Sequence, residues 1–167
     1  MPNLMFENIL SSLQNLYFHN NLCCEGIQPE KEHLSYGAYC FTLNKKKVKF
    51  RVAKLTPTKP GSFVTLWKRN NLRISVPHDV SDSFDLYIIH VINKNRHGQF
   101  IFTKQLLADK NILSIENEGG KRGFRLYPPW GQKLNKQATQ TQSWQLQYYV
   151  DISDETTVIP KKLLDHS

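Results

Sequence analysis

The stretch Asp85-Leu86-Tyr87-Ile88-Ile89-His90-Val91-Ile92-Asn93 (DLYIIHVIN) decides how the rest of the chain is read. Its apolar residues run almost without interruption. They lack the in-and-out alternation of a strand with one wet face. Such a run reads as a buried strand. A sheet containing it calls for flanking helices, so the fold expected is α/β or α+β, with a central mixed sheet.

The segments on either side fit this layout. Upstream, residues 36–43 and 46–55 read as a β-hairpin turning at Asn44-Lys45. In its second strand Val48, Phe50 and Val52 alternate with Lys49, Arg51 and Ala53, and Lys54 falls on the apolar parity. Earlier still, Phe6, Ile9, Leu10, Leu13, Leu16 and Tyr17 recur at helical spacing, and Asn20-Asn21 ends that helix. The TPTKPG run at 56–61 is a loop, and short strands are expected near 63–67 and 72–76. Downstream, a strand at 99–102 leads into a helix over 103–112. A glycine-rich turn at 118–122, a strand at 124–127 and a last helix over 136–149 follow. The 167 residues fit one domain, residues 1–150, with a polar and frayed tail over 151–167.

Charge is segregated along the chain. The formal net charge is +8. No acid lies between Glu32 and Asp79, a stretch holding ten Lys and Arg, and none lies between Glu118 and Asp151, which holds five more. Fifteen of the 22 basic residues therefore have no acidic neighbour in sequence. Mixed signs are the norm for soluble surfaces, and one-sign segregation favours anions. The plain alternative is a basic protein kept soluble by its charge. The odd set Cys23, Cys24 and Cys40 has no zinc-like spacing and reads as reduced thiols in a cytoplasmic protein. No signal peptide is evident, and no run approaches the roughly 20 apolar residues of a membrane span.

Three segments carry candidate chemistry. In FRVAKLTPTKPGSFVTLWKR (50–69), Arg51, Lys54, Lys59, Lys68 and Arg69 surround Thr56 and Thr58, residue types that hold phosphate oxygens, with Trp67 placed to stack on a base. In GGKRGFRLYPPW (119–130), glycines let the backbone approach a ligand beside Lys121, Arg122 and Arg125, and Tyr127 and Trp130 offer stacking faces. In QATQTQSWQ (137–145), Gln137, Thr141 and Gln145 share a helical face suited to base edges; the competing reading is that these amides bond neighbouring loops. Each basic segment also has a plain reading, as a solvated loop or turn. Asp85 is the best single acidic candidate. His33, His78, His90 and His97 form no metal-ligand pattern, so no metal site is expected.

The segments FRVAKLTPTKPGSFVTLWKR, DSFDLYIIHV, GQFIFTKQLL, GKRGFRLYPPW and QATQTQSWQ, in that order across residues 37–149, resemble the MepB family. That resemblance implies no particular reaction. A weaker resemblance in layout points to the PD-(D/E)XK nuclease-like, or restriction-endonuclease-like, fold. There Lys54 takes the place of the motif lysine, but Val52 stands where its acidic partner would be and Gly37 near the earlier aspartate.

The expectation is therefore a cytoplasmic module, without cofactor, that binds nucleic acid or another polyanion through a basic, aromatic-lined cleft and is non-catalytic or catalytically altered. One alternative is a Mg²⁺-dependent nuclease whose carboxylates are displaced to Glu30, Glu32 or Asp85, with Lys54 stabilising charge. Another is a small-molecule or nucleotide-binding protein with an enclosed pocket at Trp67 and Trp130.

Overall fold

A computed structural model of the chain describes residues 3–130 and 133–165. Its centre is a six-stranded sheet in the order β1 (Cys24–Pro29), β2 (Tyr39–Leu43), β3 (Lys46–Val52), β8 (Leu86–Asn93), β9 (Arg96–Thr103) and β11 (Tyr149–Asp151). The sheet is mixed: β3 and β8 are parallel and the other neighbours antiparallel. The β2–β3 turn falls at Asn44-Lys45, both with positive φ, as a tight two-residue hairpin requires.

The DLYIIHVIN run is central, so both its faces are covered. Leu86 and Ile88 face α1 (Leu4–His19), whose buried stripe of Phe6, Ile9, Leu10, Leu13, Leu16 and Tyr17 packs there with Val48, Phe50, Val52 and Ile101. Tyr87, Ile89 and Val91 face a second core with Phe100, Phe102, Leu107, Phe124 and Leu126. That core is roofed by α2 (Lys104–Asp109) and by a small sheet in the order β10 (Gly123–Leu126), β5 (Ser62–Thr65), β4 (Lys54–Leu55). The helix α3 (Lys136–Gln145) lies beside β10, and β6 (Trp67–Arg69) pairs with β7 (Ser75–Pro77) as a separate ribbon.

Three expectations are corrected. The second hairpin strand stops at Val52, and Lys54 belongs to β4, which pairs with Phe63 in the small sheet. Lys54 therefore does not continue the apolar parity of β3. The last helix ends at Gln145, a 3-10 turn follows, and Tyr149–Asp151 adds β11 to the edge of the main sheet. The tail beyond it is not frayed over the described residues. Ile159, Leu163 and Leu164 are buried in the α1 core, and the Asn20 side chain clamps the segment, donating to the Thr157 carbonyl and accepting from the Ile159 N–H. The strand β1 carried no periodic signal, with Gly26, Gln28 and Pro29 among six residues, and pairs with β2 through an irregular register.

Candidate functional site

Two polar regions lie on the β10 side of the main sheet. The first grows from β3. Val48, Phe50 and Val52 point toward α1, so Lys49 and Arg51 point the other way. Arg51 is fully buried. One terminal nitrogen donates to Glu30 at 2.5 Å, the other to the Phe50 carbonyl at 2.8 Å, and Nε has no partner among the described residues. Lys49 reaches the second Glu30 oxygen at 3.0 Å, and the Cys40 thiol donates to that same oxygen. Burial alone pushes Glu30 upward, but the Arg51 guanidinium, the Cys40 hydrogen bond and Lys49 outweigh it and hold the carboxyl down at about 2. Burial and the neighbouring carboxylate push the Cys40 thiol up to about 11, which favours its protonated form at neutral pH.

Nearby, Asp82 accepts from Lys68 at 2.6 Å and from His78 at 2.9 Å. Burial, then the charges of Lys49 and Arg51, outweigh Asp82 and push His78 down to about 4. His33 bonds the Thr65 hydroxyl at 2.7 Å and donates to the Trp67 carbonyl at 3.1 Å. Its ring packs edge-on to Trp67, 4.2 Å between centres. Glu32 holds Arg69 at 2.7 Å, and the Arg69 guanidinium lies over Trp67. Lysines and arginines without an acidic neighbour in sequence thus meet carboxylates that arrive from residues 30–32 and from Asp82.

This cluster does not fit a divalent cation. Hard cations need several oxygen ligands. Glu30 is already held between two cations, and no three His, Cys, Asp or Glu side chains gather as ligands among the described residues. Asp85 accepts from the Lys47 N–H at 2.8 Å and its own N–H donates to the Lys47 carbonyl, so it locks the entry of β8 against β3. Asp79 binds Ser81, Ser114 and the Asn117 N–H, and this set of donors holds its carboxyl far below the usual range. Neither Glu32 nor Asp85 pairs with Lys54, whose ammonium sits 4.3 Å from the centre of the Tyr36 ring.

The second region is an open groove of about 500 Å³ between β10 and α3. Lys59 reaches it from the 56–61 loop, Phe63 from β5, Lys110 from the end of α2, Lys121 and Arg125 from around β10, and Gln137 and Thr141 from α3. Tyr127 and Trp144 complete its aromatic wall. No described residue lining it is acidic, and none of its four cations has a carboxylate partner among the described residues.

The groove is built by two side chains that substitute for backbone. Gln145, fully buried, donates to the Arg125 carbonyl at 2.8 Å and accepts from the Tyr127 N–H at 2.9 Å, which pins α3 along β10. Gln142 adds bonds to the carbonyls of Tyr127 and Pro128. Arg125 holds the 56–61 loop by donating to the Thr56 hydroxyl and to the Pro60 carbonyl at 3.0 Å. Gly61 closes that loop at φ +83°, where a Cβ would stand 2.5 Å from the Leu126 carbonyl oxygen.

The remaining candidates scatter. Thr58 and Arg122 are exposed outside the groove lining, and the Arg122 carbonyl accepts from Leu66 N–H. Trp130 walls a separate shallow cleft with Leu55, Gly61 and Gln142, its ring edge-on to Tyr149. Trp67, Lys68 and Arg69 sit on the β6–β7 ribbon, engaged as described, so Trp67 and Trp130 do not share a pocket. Lys110 escaped the sequence reading, because it follows Asp109 and lies in neither acid-free stretch. Only the packing of α2 against β9 brings it to the groove.

The fold is thus a single mixed α+β domain in which a small second sheet and α3 frame a groove on one side of a larger sheet. The chain belongs to the MepB-like family, whose model matches residues 30–151. It is similar to the crystal structure of MepB, with 36% sequence identity and a TM-score of 0.76 over 78% of this chain and 88% of that one. A bacterial homing endonuclease aligns at 14% identity and a TM-score of 0.42, covering 84% of this chain and 86% of that one. No curated protein matches the chain. No helix among the described residues is long and apolar enough to cross a membrane.

Proposed function

We propose that the β10–α3 groove binds a polyanion, nucleic acid first among them, without chemistry of its own. One observation carries this reading: four cations line one groove with aromatic faces and no described acidic residue. Lys59, Lys110 and Lys121 would meet backbone phosphates. Arg125, fixed by the loop it holds, would add a permanent positive charge to the floor. Phe63 and Tyr127 offer flat apolar surface for bases, Trp144 carries the Lys110 ammonium over its ring, and Gln137 and Thr141 supply neutral hydrogen-bonding groups at the rim.

The test is fluorescence anisotropy of the full chain with labelled single-stranded DNA, single-stranded RNA and duplex DNA over a range of salt. Affinity should fall steeply as salt rises, with a logarithmic slope of about −0.7 to −0.9 per phosphate neutralised. Lys59→Glu and Lys121→Glu should each weaken binding by roughly tenfold without changing the melting temperature by more than a few degrees. Binding that is absent at low salt, or indifferent to both substitutions, overturns the proposal.

A further inference from the structure

A larger cleft, about 640 Å³, lies on the opposite side of the main sheet, between α1 and the ends of β8 and β9. One wall is α1, through Leu4, Met5, Ile9 and Leu13; the other is Ile92 and Ile152, and His90 and His97 stand at its base. Four observations converge here. The volume is that of a site for an organic molecule of modest size, and the walls are mostly apolar. The first turn of α1 leaves Leu4 and Met5 exposed at this cleft, although a helix start can bear polar residues at no cost to the core. His90 is 2% exposed and bonds His97 at 3.0 Å, so the base carries a fixed hydrogen-bonding chain. Behind it Gln99, 1% exposed, faces the other His90 nitrogen and neighbours the buried Tyr17 hydroxyl, so the chain of polar groups continues into the core.

We propose that this cleft is a second binding site, for an uncharged amphiphile: an alcohol or phenol whose hydrocarbon body lies against α1 and whose hydroxyl bonds His97. A hydroxyl suits the site because it donates and accepts, and so satisfies the outer nitrogen of His97 in either tautomer of the pair. A charged head group does not suit it. Burial, reinforced by the adjacent His97, keeps His90 neutral, with its titration pushed down to about 3. A charge brought to this base would lose its water with no opposite charge fixed beside it. At the rim, Lys94 and Glu155 carry opposite signs, so the mouth selects neither anion nor cation.

The experiment uses the full chain and four probes with similar tails: dodecanol and nonylphenol below their aqueous solubility, and laurate and dodecyltrimethylammonium below their micellar concentrations. Thermal unfolding and histidine imidazole NMR are read together. The two uncharged probes should raise the melting temperature and shift His97 and His90 resonances, while the charged probes do so at least about tenfold more weakly. Ser12→Trp, which places an indole over the cleft from an exposed helix position, should abolish the shifts while the protein still unfolds cooperatively. Leu4→Glu should weaken them if the indole variant fails to fold. Lys121→Glu, on the other side of the sheet, should leave them intact. Equal binding of charged and uncharged probes, loss of stability on adding the alcohols, or shifts that survive the variants that fold would each overturn the proposal.

Discussion

The two polar regions beside the second core draw on the same kind of sequence and come to opposite ends. Lys49, Arg51, Lys68 and Arg69 lie in the longer acid-free stretch, yet each meets Glu30, Asp82 or Glu32 within 3.0 Å. Lys59, Lys110, Lys121 and Arg125 line a groove and meet no carboxylate among the described residues. A run of basic residues therefore says little about positive potential until the carboxylates from elsewhere in the chain are placed. Charge that is neutralised inside a fold organises it; charge left facing a groove is available to a ligand.

The largest effect is expected from removing the carboxylate that Lys49 and Arg51 share. Glu30→Ala leaves Arg51 buried with no opposite charge, and should cost roughly 3–5 kcal/mol in urea unfolding. Binding at the groove, measured on whatever fraction stays folded, should not change. Glu30→Ala of near-native stability would mean that Arg51 escapes to water.

Acid titration is the next largest test. His90 and His78, kept neutral by burial, titrate at about 3 and about 4 in the fold. Below pH 6.5 the unfolded chain binds protons that the folded one refuses, so stability should decline from there. Glu30, held at about 2 against its ordinary 4.5, contributes stability that is full above pH 4.5 and is lost as pH falls toward 2. That carboxylate alone accounts for roughly 3 kcal/mol, and Glu30→Gln should flatten the lower part of a stability-against-pH curve. A curve of unchanged shape below pH 4.5 in Glu30→Gln would refute the assignment.

The groove cations should show the reverse pattern, with binding lost and stability kept. Lys59→Glu with Lys121→Glu should weaken polyanion binding by roughly a hundredfold and flatten its salt dependence by about two phosphate equivalents, with stability nearly unchanged. Lys68→Gln, by contrast, should leave binding untouched, because its partner is Asp82. The smallest effect belongs to Arg69→Ala, whose pair with Glu32 is about half exposed on both sides. It should cost less than about 1 kcal/mol and leave binding unaltered. Strong binding loss in Lys68→Gln would show that the salt bridges open for ligand and that the two regions act as one.

Much of the fold was legible because local pattern carried it. The helical stripe from Phe6 to Tyr17, the Asn44-Lys45 turn and the buried strand from Leu86 follow from periodicity and turn chemistry alone. The strands β1 and β11 were not legible: they are short edge strands, held by neighbours far away in sequence rather than by their own propensity. The glutamines of 137–145 suit either a ligand or the neighbouring loops, and the fold divides them between the two. Gln142 and Gln145 bond β10 and the segment after it, while Gln137 and Thr141 face the groove.

Local patterns along the chain set the central sheet's main strands, the buried strand at its middle and the two basic, glycine- and aromatic-rich segments. Each is a property of residues within one turn of helix or a few strand positions of one another. Which cations are neutralised and which face a groove depends on packing in three dimensions. Salt bridges such as Arg51–Glu30 and Lys68–Asp82 join residues 14 to 21 positions apart, and the groove joins Lys59 to Lys121 and Gln137. Coulomb energy depends on distance and burial in space, which no ordering along the chain encodes.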